Sequence, residues 1–89
     1  MVEKKLIVKN LLGLHLRPAS DLCNKAMEYD SSIKICFRNK EFNAKSLLGI
    51  LSACVQQEDE IVLICQGIDE EKAASELEQF IENGMKAVK

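Results

Sequence analysis

Ile61-Val62-Leu63-Ile64-Cys65 is five apolar residues in a row, bounded by Glu58-Asp59-Glu60 before and Gln66-Gly67 after. A run this short, rich in β-branched residues and fenced by charge and a turn former, reads as a strand inside a sheet, covered on at least one face and paired on both edges. The chain must therefore supply partner strands. Lys4 to Lys9 provides one, a β-branched run with charged flanks that Asn10 and the Gly13 turn bring to a close. Ile33, Ile35 and Phe37 alternate with Lys34, Cys36 and Arg38, which makes a second strand with one face on the core. An Asn39-Lys40 turn and a short Glu41-Phe42-Asn43 strand complete a hairpin, asparagine being tolerant of positive φ.

Between the strands the period changes. Ala19, Leu22, Cys23, Ala26 and Met27 recur at helical spacing, ending near the turn formers Tyr29-Asp30-Ser31-Ser32. Ser46 stands directly before Leu47-Leu48-Gly49-Ile50-Leu51 and is placed as the N-cap of a second helix of about two turns. Asp69 is expected to cap a third, with Glu70 and Glu71 at its positive end, Ala73, Leu77, Phe80 and Ile81 on its apolar stripe, and Asn83-Gly84 as its stop. Met85 to Lys89 reads as a frayed tail. The order β-α-β-β-α-β-α, with helices apolar on one side only, is solved by a four-stranded antiparallel sheet carrying three helices on one face: an α+β open-faced sandwich.

With 89 residues, 47% apolar and 29% charged, the chain is read as one domain, 1–89, with a thin core. No repeat, linker, membrane-length apolar run or signal-peptide pattern stands out, so membrane insertion is not expected and the cytoplasm is. A formal charge of −2 and the lack of a basic, aromatic-interleaved block argue against nucleic-acid binding. Cys23, Cys36, Cys54 and Cys65 lie singly, each inside an expected element and with no second histidine, so they read as buried reduced thiols and not as disulfide or metal ligands. No metal or other cofactor is expected.

Chemistry concentrates in Gly13-Leu14-His15-Leu16-Arg17-Pro18, which holds the one histidine and the one proline of the chain. Proline suits the first turn of a helix, so His15 is expected at a helix N-terminus. Unpaired N–H groups and the macrodipole favour anions there, and Arg17 adds a forked cation suited to phosphate. An imidazole of ordinary pKa near 6.5 is mostly neutral and nucleophilic at cytoplasmic pH, and a positive helix end lowers its pKa further. Ser46 needs no more than its capping role. Leu47, Leu48 and Leu51 cannot all face the sheet together with Ile50 on so short a helix, which leaves apolar surface for a partner, and Ser20, Asn24 and Met27 extend that patch along the first helix.

Gly13-Leu14-His15-Leu16-Arg17-Pro18-Ala19 together with Asn43-Ala44-Lys45-Ser46-Leu47-Leu48-Gly49 resembles the HPr family, the histidine-containing phosphocarriers of the bacterial phosphoenolpyruvate-dependent sugar phosphotransferase system. The likeness extends over nearly the whole chain. It implies a sheet order of 1-4-2-3 and a carrier that is itself phosphorylated, not an enzyme. His15 would accept a phosphoryl group on Nδ1 from phosphorylated enzyme I and pass it to sugar-specific IIA proteins, with Arg17 as clamp and backbone contacts from Leu16 and Arg17. Leu16, Ser20, Asn24, Met27, Leu47, Leu48 and Leu51 would form the partner surface. Ser46 matches the regulatory serine of the Gram-positive branch, modified by an ATP-dependent HPr kinase/phosphorylase, the serine-phosphorylated form serving a catabolite-control repressor as corepressor. A monomer is implied.

The chain departs from the family pattern at Leu16, where alanine is usual, at Cys54, where glycine is frequent, and at Asn39, a turn position often held by glycine. None removes a transfer residue. Three other readings compete: a regulatory homologue that keeps the serine switch without transfer, a phosphohistidine phosphatase or hydrolase, and a carrier of the nitrogen-related branch. Retention of His15 opposes the first, the lack of a second base or metal cluster the second, and Lys45-Ser46-Leu47 with the leucines leans away from the third.

Overall fold

The computed structural model describes residues 1–9 and 16–84. Its elements are β1 (Val2–Ile7), α1 (Leu16–Ala26), β2 (Ser32–Phe37), β3 (Lys40–Asn43), α2 (Leu47–Ala53), β4 (Glu60–Gln66) and α3 (Glu70–Glu82). The apolar run lies in β4, and its two edges pair antiparallel with β1 (Val2↔Cys65 to Ile7↔Glu60) and with β2 (Ser32↔Gln66 to Cys36↔Val62). β3 joins the far edge of β2, so the sheet order is β1-β4-β2-β3, as expected. Ile61, Leu63 and Cys65 point into the core with Leu6, Ile33, Ile35 and Phe37, under the three helices. Val62 and Ile64 face outward and are only half-buried. They are paired with Lys5 and Glu3 on one side and with Cys36 and Lys34 on the other, where the lysine stems can shield them.

Several boundaries differ from the reading of the sequence. β1 begins at Val2 and ends at Ile7, because β4 offers partners only as far as Glu60. The hairpin turn is Arg38-Asn39, not Asn39-Lys40: both residues have positive φ (54° and 64°), which a two-residue connection of right-handed twist demands, and Lys40 already pairs with Phe37. α1 stops at Ala26, and its end tightens into Glu28-to-Lys25 and Tyr29-to-Ala26 bonds. Tyr29, not Met27, thus closes the core beyond Ala19, Leu22 and Ala26, leaving Met27 62% exposed.

Asp69 keeps its expected position but not its expected bond. It holds the N-cap position of α3 but makes no side-chain cap bond. Its carboxylate instead accepts from the backbone N–H of Asp30 (3.0 Å), and from the N–H (2.9 Å) and the hydroxyl of Ser31. A capping oxygen is thereby spent on tying the α1–β2 corner to α3, which leaves Ser31 buried with its polar groups satisfied. Gly67 makes the close approach possible, since a Cβ there would lie 2.7 Å from the Ser31 Cα. Glu70 secures the same end by accepting from the Gly67 N–H (3.1 Å) and pairing with the Met1 amine (2.7 Å).

α3 presents Ala73, Ala74, Leu77 and Ile81 to the core, with Phe80 half-buried at the margin. Of the cysteines, only Cys65 is fully buried, and burial pushes its thiol up to about 11. Cys23 and Cys36 are half-buried, while Cys54 lies outside any helix or strand, exposed and left-handed (φ 56°) at the C-cap of α2. All four are free thiols. The tail expected to fray, Met85 to Lys89, lies outside the described residues.

Candidate functional site

Helix α1 opens at Leu16, with Pro18 in its first turn, where a missing N–H costs no helical bond. Ala19, Leu22 and Ala26 anchor it. That stripe leaves Leu16 (65% exposed), Arg17 and Asn24 on the surface and Ser20 half-buried. Among the described residues no carboxylate pairs with the Arg17 guanidinium. His15 precedes Leu16 in the sequence and, with Asn10 to Leu14, lies outside the described residues. The first-turn position of Arg17 and Pro18 is therefore what the structure contributes to this motif.

Helix α2 packs against α1 and β3. Ser46 caps it as the sequence predicts: its backbone is extended (φ −116°, ψ 116°) and its hydroxyl accepts from the Gly49 N–H at 3.1 Å. Gly49 sits so near the end of β3 that a Cβ would come within 3.2 Å of the Asn43 carbonyl oxygen and 3.3 Å of the Ser46 side chain. Ile50 and Ala53 enter the core, whereas Leu47 and Leu51 are half-buried and Leu48 is 79% exposed. The four apolar residues do divide between core and surface, with Leu48 standing furthest out. Because α1 and α2 touch, the apolar residues that they expose belong to adjoining surfaces.

Lys45, expected only as part of the motif around Ser46, also has a structural partner. Its Nζ donates to the Tyr29 carbonyl at 2.6 Å, just beyond the end of α1, where a cation satisfies backbone oxygen and opposes the negative helix end. The Tyr29 hydroxyl in turn donates to Glu76 of α3, and burial together with that carboxylate holds the phenol well above its usual pKa. Residues 45 and 29 are too far apart in the chain for any local pattern to link them. Among the described residues no group of three or more His, Cys, Asp or Glu side chains is arranged to hold a metal ion. No described helix is long and apolar enough to cross a membrane.

The family model described as "PTS HPr component phosphorylation site" matches residues 2–83. The phosphocarrier protein HPr of Borreliella burgdorferi is 41% identical over 93% of this chain and 96% of its own length. The HPr-like protein Crh of Halalkalibacterium halodurans is 40% identical over 92% and 98% respectively. The crystal structure of HPr-C-His from Thermoanaerobacter tengcongensis superposes with a TM-score of 0.92 at 37% identity, covering 99% of this chain and 100% of that one. An HPr dimer from the same organism has also been solved, and matches with a TM-score of 0.77 at 38% identity over 98% of this chain and 100% of that one.

Proposed function

The chain belongs to the HPr family of phosphocarriers of the phosphotransferase system, and on that footing we propose that His15 is its phosphoryl acceptor, loaded by phosphorylated enzyme I and discharged to sugar-specific IIA proteins. The observation that carries this reading is the match over residues 2–83, which spans both the His15 motif and the helix opening beside it. In the loading step the neutral imidazole Nδ1 attacks the phosphorus, a P–N bond forms, and the bond to enzyme I breaks. Discharge reverses these roles with the IIA acceptor. The chain ends each cycle as it began, which is carriage and not turnover.

Arg17 acts as the clamp. It stands two residues from His15 in the sequence, exposed in the first turn of α1, where charge-assisted bonds to phosphoryl oxygens and the helix N-terminus favour the phosphorylated state. Leu16 and Arg17 supply backbone contacts. Leu16, Ser20, Asn24 and Met27 with Leu47, Leu48 and Leu51 form the docking surface, an assignment supported by the high exposure of Leu16, Met27 and Leu48. Ser46 is the site of an ATP-dependent kinase/phosphorylase and, once phosphorylated, binds a catabolite-control repressor. The likeness of the chain to Crh, the catabolite repression HPr of Bacillus subtilis, supports that regulatory half of the reading. The working unit is a single 1–89 domain acting as a monomer in the cytoplasm, although a relative forms a dimer.

The test is to incubate the protein with phosphoenolpyruvate and enzyme I and to map any acid-labile phosphate, with a parallel assay for acid-stable phosphate on Ser46 using ATP and the kinase. Label on His15 supports the carrier reading; its absence ends it. Serine label without histidine label would favour a purely regulatory protein.

A further inference from the structure

Four described non-glycine residues have left-handed backbone. Arg38 and Asn39 form the hairpin turn that requires it, and Cys54 ends α2 as left-handed residues commonly end helices. Glu58 (φ 72°) is the third residue of the Gln56–Asp59 turn, a position that also calls for left-handed backbone but is usually given to glycine. What it achieves is local. In the connection between α2 and β4, the Glu58 N–H donates to the Val8 carbonyl (2.7 Å) while the next carbonyl, that of Asp59, accepts from the Val8 N–H (3.0 Å). Residue 8 is thus gripped on both polar groups just past Ile7↔Glu60, where the β1–β4 ladder ends.

The grip is braced from within. The Asp59 carboxylate accepts from the Gln56 N–H (2.8 Å), the Asp59 N–H donates to the Gln56 carbonyl (3.1 Å), and the Gln57 side chain reaches the Lys9 carbonyl (3.4 Å). Val8 and Val55 are both buried beneath it. Strained backbone held by surrounding bonds is concentrated where geometry matters to function. Here the strained residue holds the exit of β1, from which the segment carrying His15 departs, while α1 fixes the chain again from Leu16.

We propose that the α2–β4 connection is a positioning element for phosphoryl transfer: it fixes the β1 end of the His15 segment, with Asp59 as the residue that keeps its shape. The inference rests on the carrier reading of His15. In-line transfer is sensitive to placement, a displacement of about 1 Å costing up to about a hundredfold in rate. Asp59 and Gln57 need touch neither phosphoryl group nor partner. They act through Val8 and Lys9.

The experiment compares full-length wild type with Asp59→Ala, Asp59→Asn and Gln57→Ala, measuring kcat and KM for transfer from phospho-enzyme I together with hydrogen exchange at the Val8 and Glu58 amides. Asp59→Ala lowers kcat about tenfold with little change in KM and speeds exchange at both amides, and Asp59→Asn, which keeps the acceptor oxygen, recovers most of the rate. Gln57→Ala, a surface change, lowers kcat about threefold with an unchanged urea midpoint. Folded Asp59→Ala transferring at the wild-type rate overturns the proposal; if that variant does not fold, an unchanged rate in Gln57→Ala overturns it. Wild type that takes no phosphoryl group contradicts the carrier reading itself, and this proposal falls with it.

Discussion

Asp69 binds Ser31 twice with one carboxylate oxygen, through the backbone N–H and through the hydroxyl, and thereby joins the α1–β2 corner to the start of α3. Donation from Ser31, led by its hydroxyl and joined by the Asp30 N–H, holds the Asp69 carboxyl below its usual pKa. A carboxylate depressed in the folded state contributes stability above its unfolded pKa, near 4, and loses that contribution as pH falls through the lower folded value. Asp69→Ala is therefore expected to be less stable than wild type at pH 7, with the gap narrowing as the pH is taken below 4. Urea midpoints across that range measure it, and a gap independent of pH would contradict the assignment.

Arg17→Ala tests the clamp. The side chain is exposed, so the fold and the melting temperature should change little. Transfer from phospho-enzyme I should fall roughly a hundredfold, as for loss of one strong donor to a developing anion. A rate within a factor of two of wild type would remove Arg17 from the site.

Ser46 gives two separable outcomes. Ser46→Ala deletes the bond to the Gly49 N–H and should cost about 1 kcal/mol of stability without affecting transfer. Ser46→Asp keeps a capping oxygen, so stability should hold while the added charge beside the leucines raises KM for enzyme I. Chemical denaturation and transfer kinetics on the two variants distinguish them.

Within α2 the surface and core roles should separate cleanly. Leu48, 79% exposed, is expected to tolerate alanine within about 0.5 kcal/mol while partner affinity drops. Ile50, fully buried one turn from Ser46, should lose about 2–5 kcal/mol on the same change. Equal stability losses at the two positions would contradict the division of the helix.

These residues also show what the sequence could and could not disclose. Ser46 as a cap and the β4 run as an interior strand were legible because each depends on neighbours within a few positions. The element order and the 1-4-2-3 sheet also agreed, the sheet order through the family resemblance. Asp69 was placed correctly at the N-cap of α3, but its side-chain partner was not legible, because a capping residue looks the same whether its oxygen turns to its own helix or to a serine 38 positions away. Met27 fits the helical spacing, but the last turn tightens and Tyr29 takes the core position, with Lys45 on its carbonyl, a partner no local pattern reveals. The grip of Glu58 and Asp59 on Val8 likewise left no local trace. Around the candidate site, the spacing already left apolar surface on α2 and at Met27, whereas which leucine stands furthest out, Leu48, needed the packed helices.

Carriage by His15 comes down to phosphoryl transfer to one nitrogen. Purified protein, enzyme I and phosphoenolpyruvate are combined, and the product is followed by phosphorus NMR and by mapping the labelled peptide. Stoichiometric, acid-labile phosphate is expected on His15 Nδ1, lost in His15→Ala and discharged when a IIA protein is added. No label, or label that persists in His15→Ala, would contradict it.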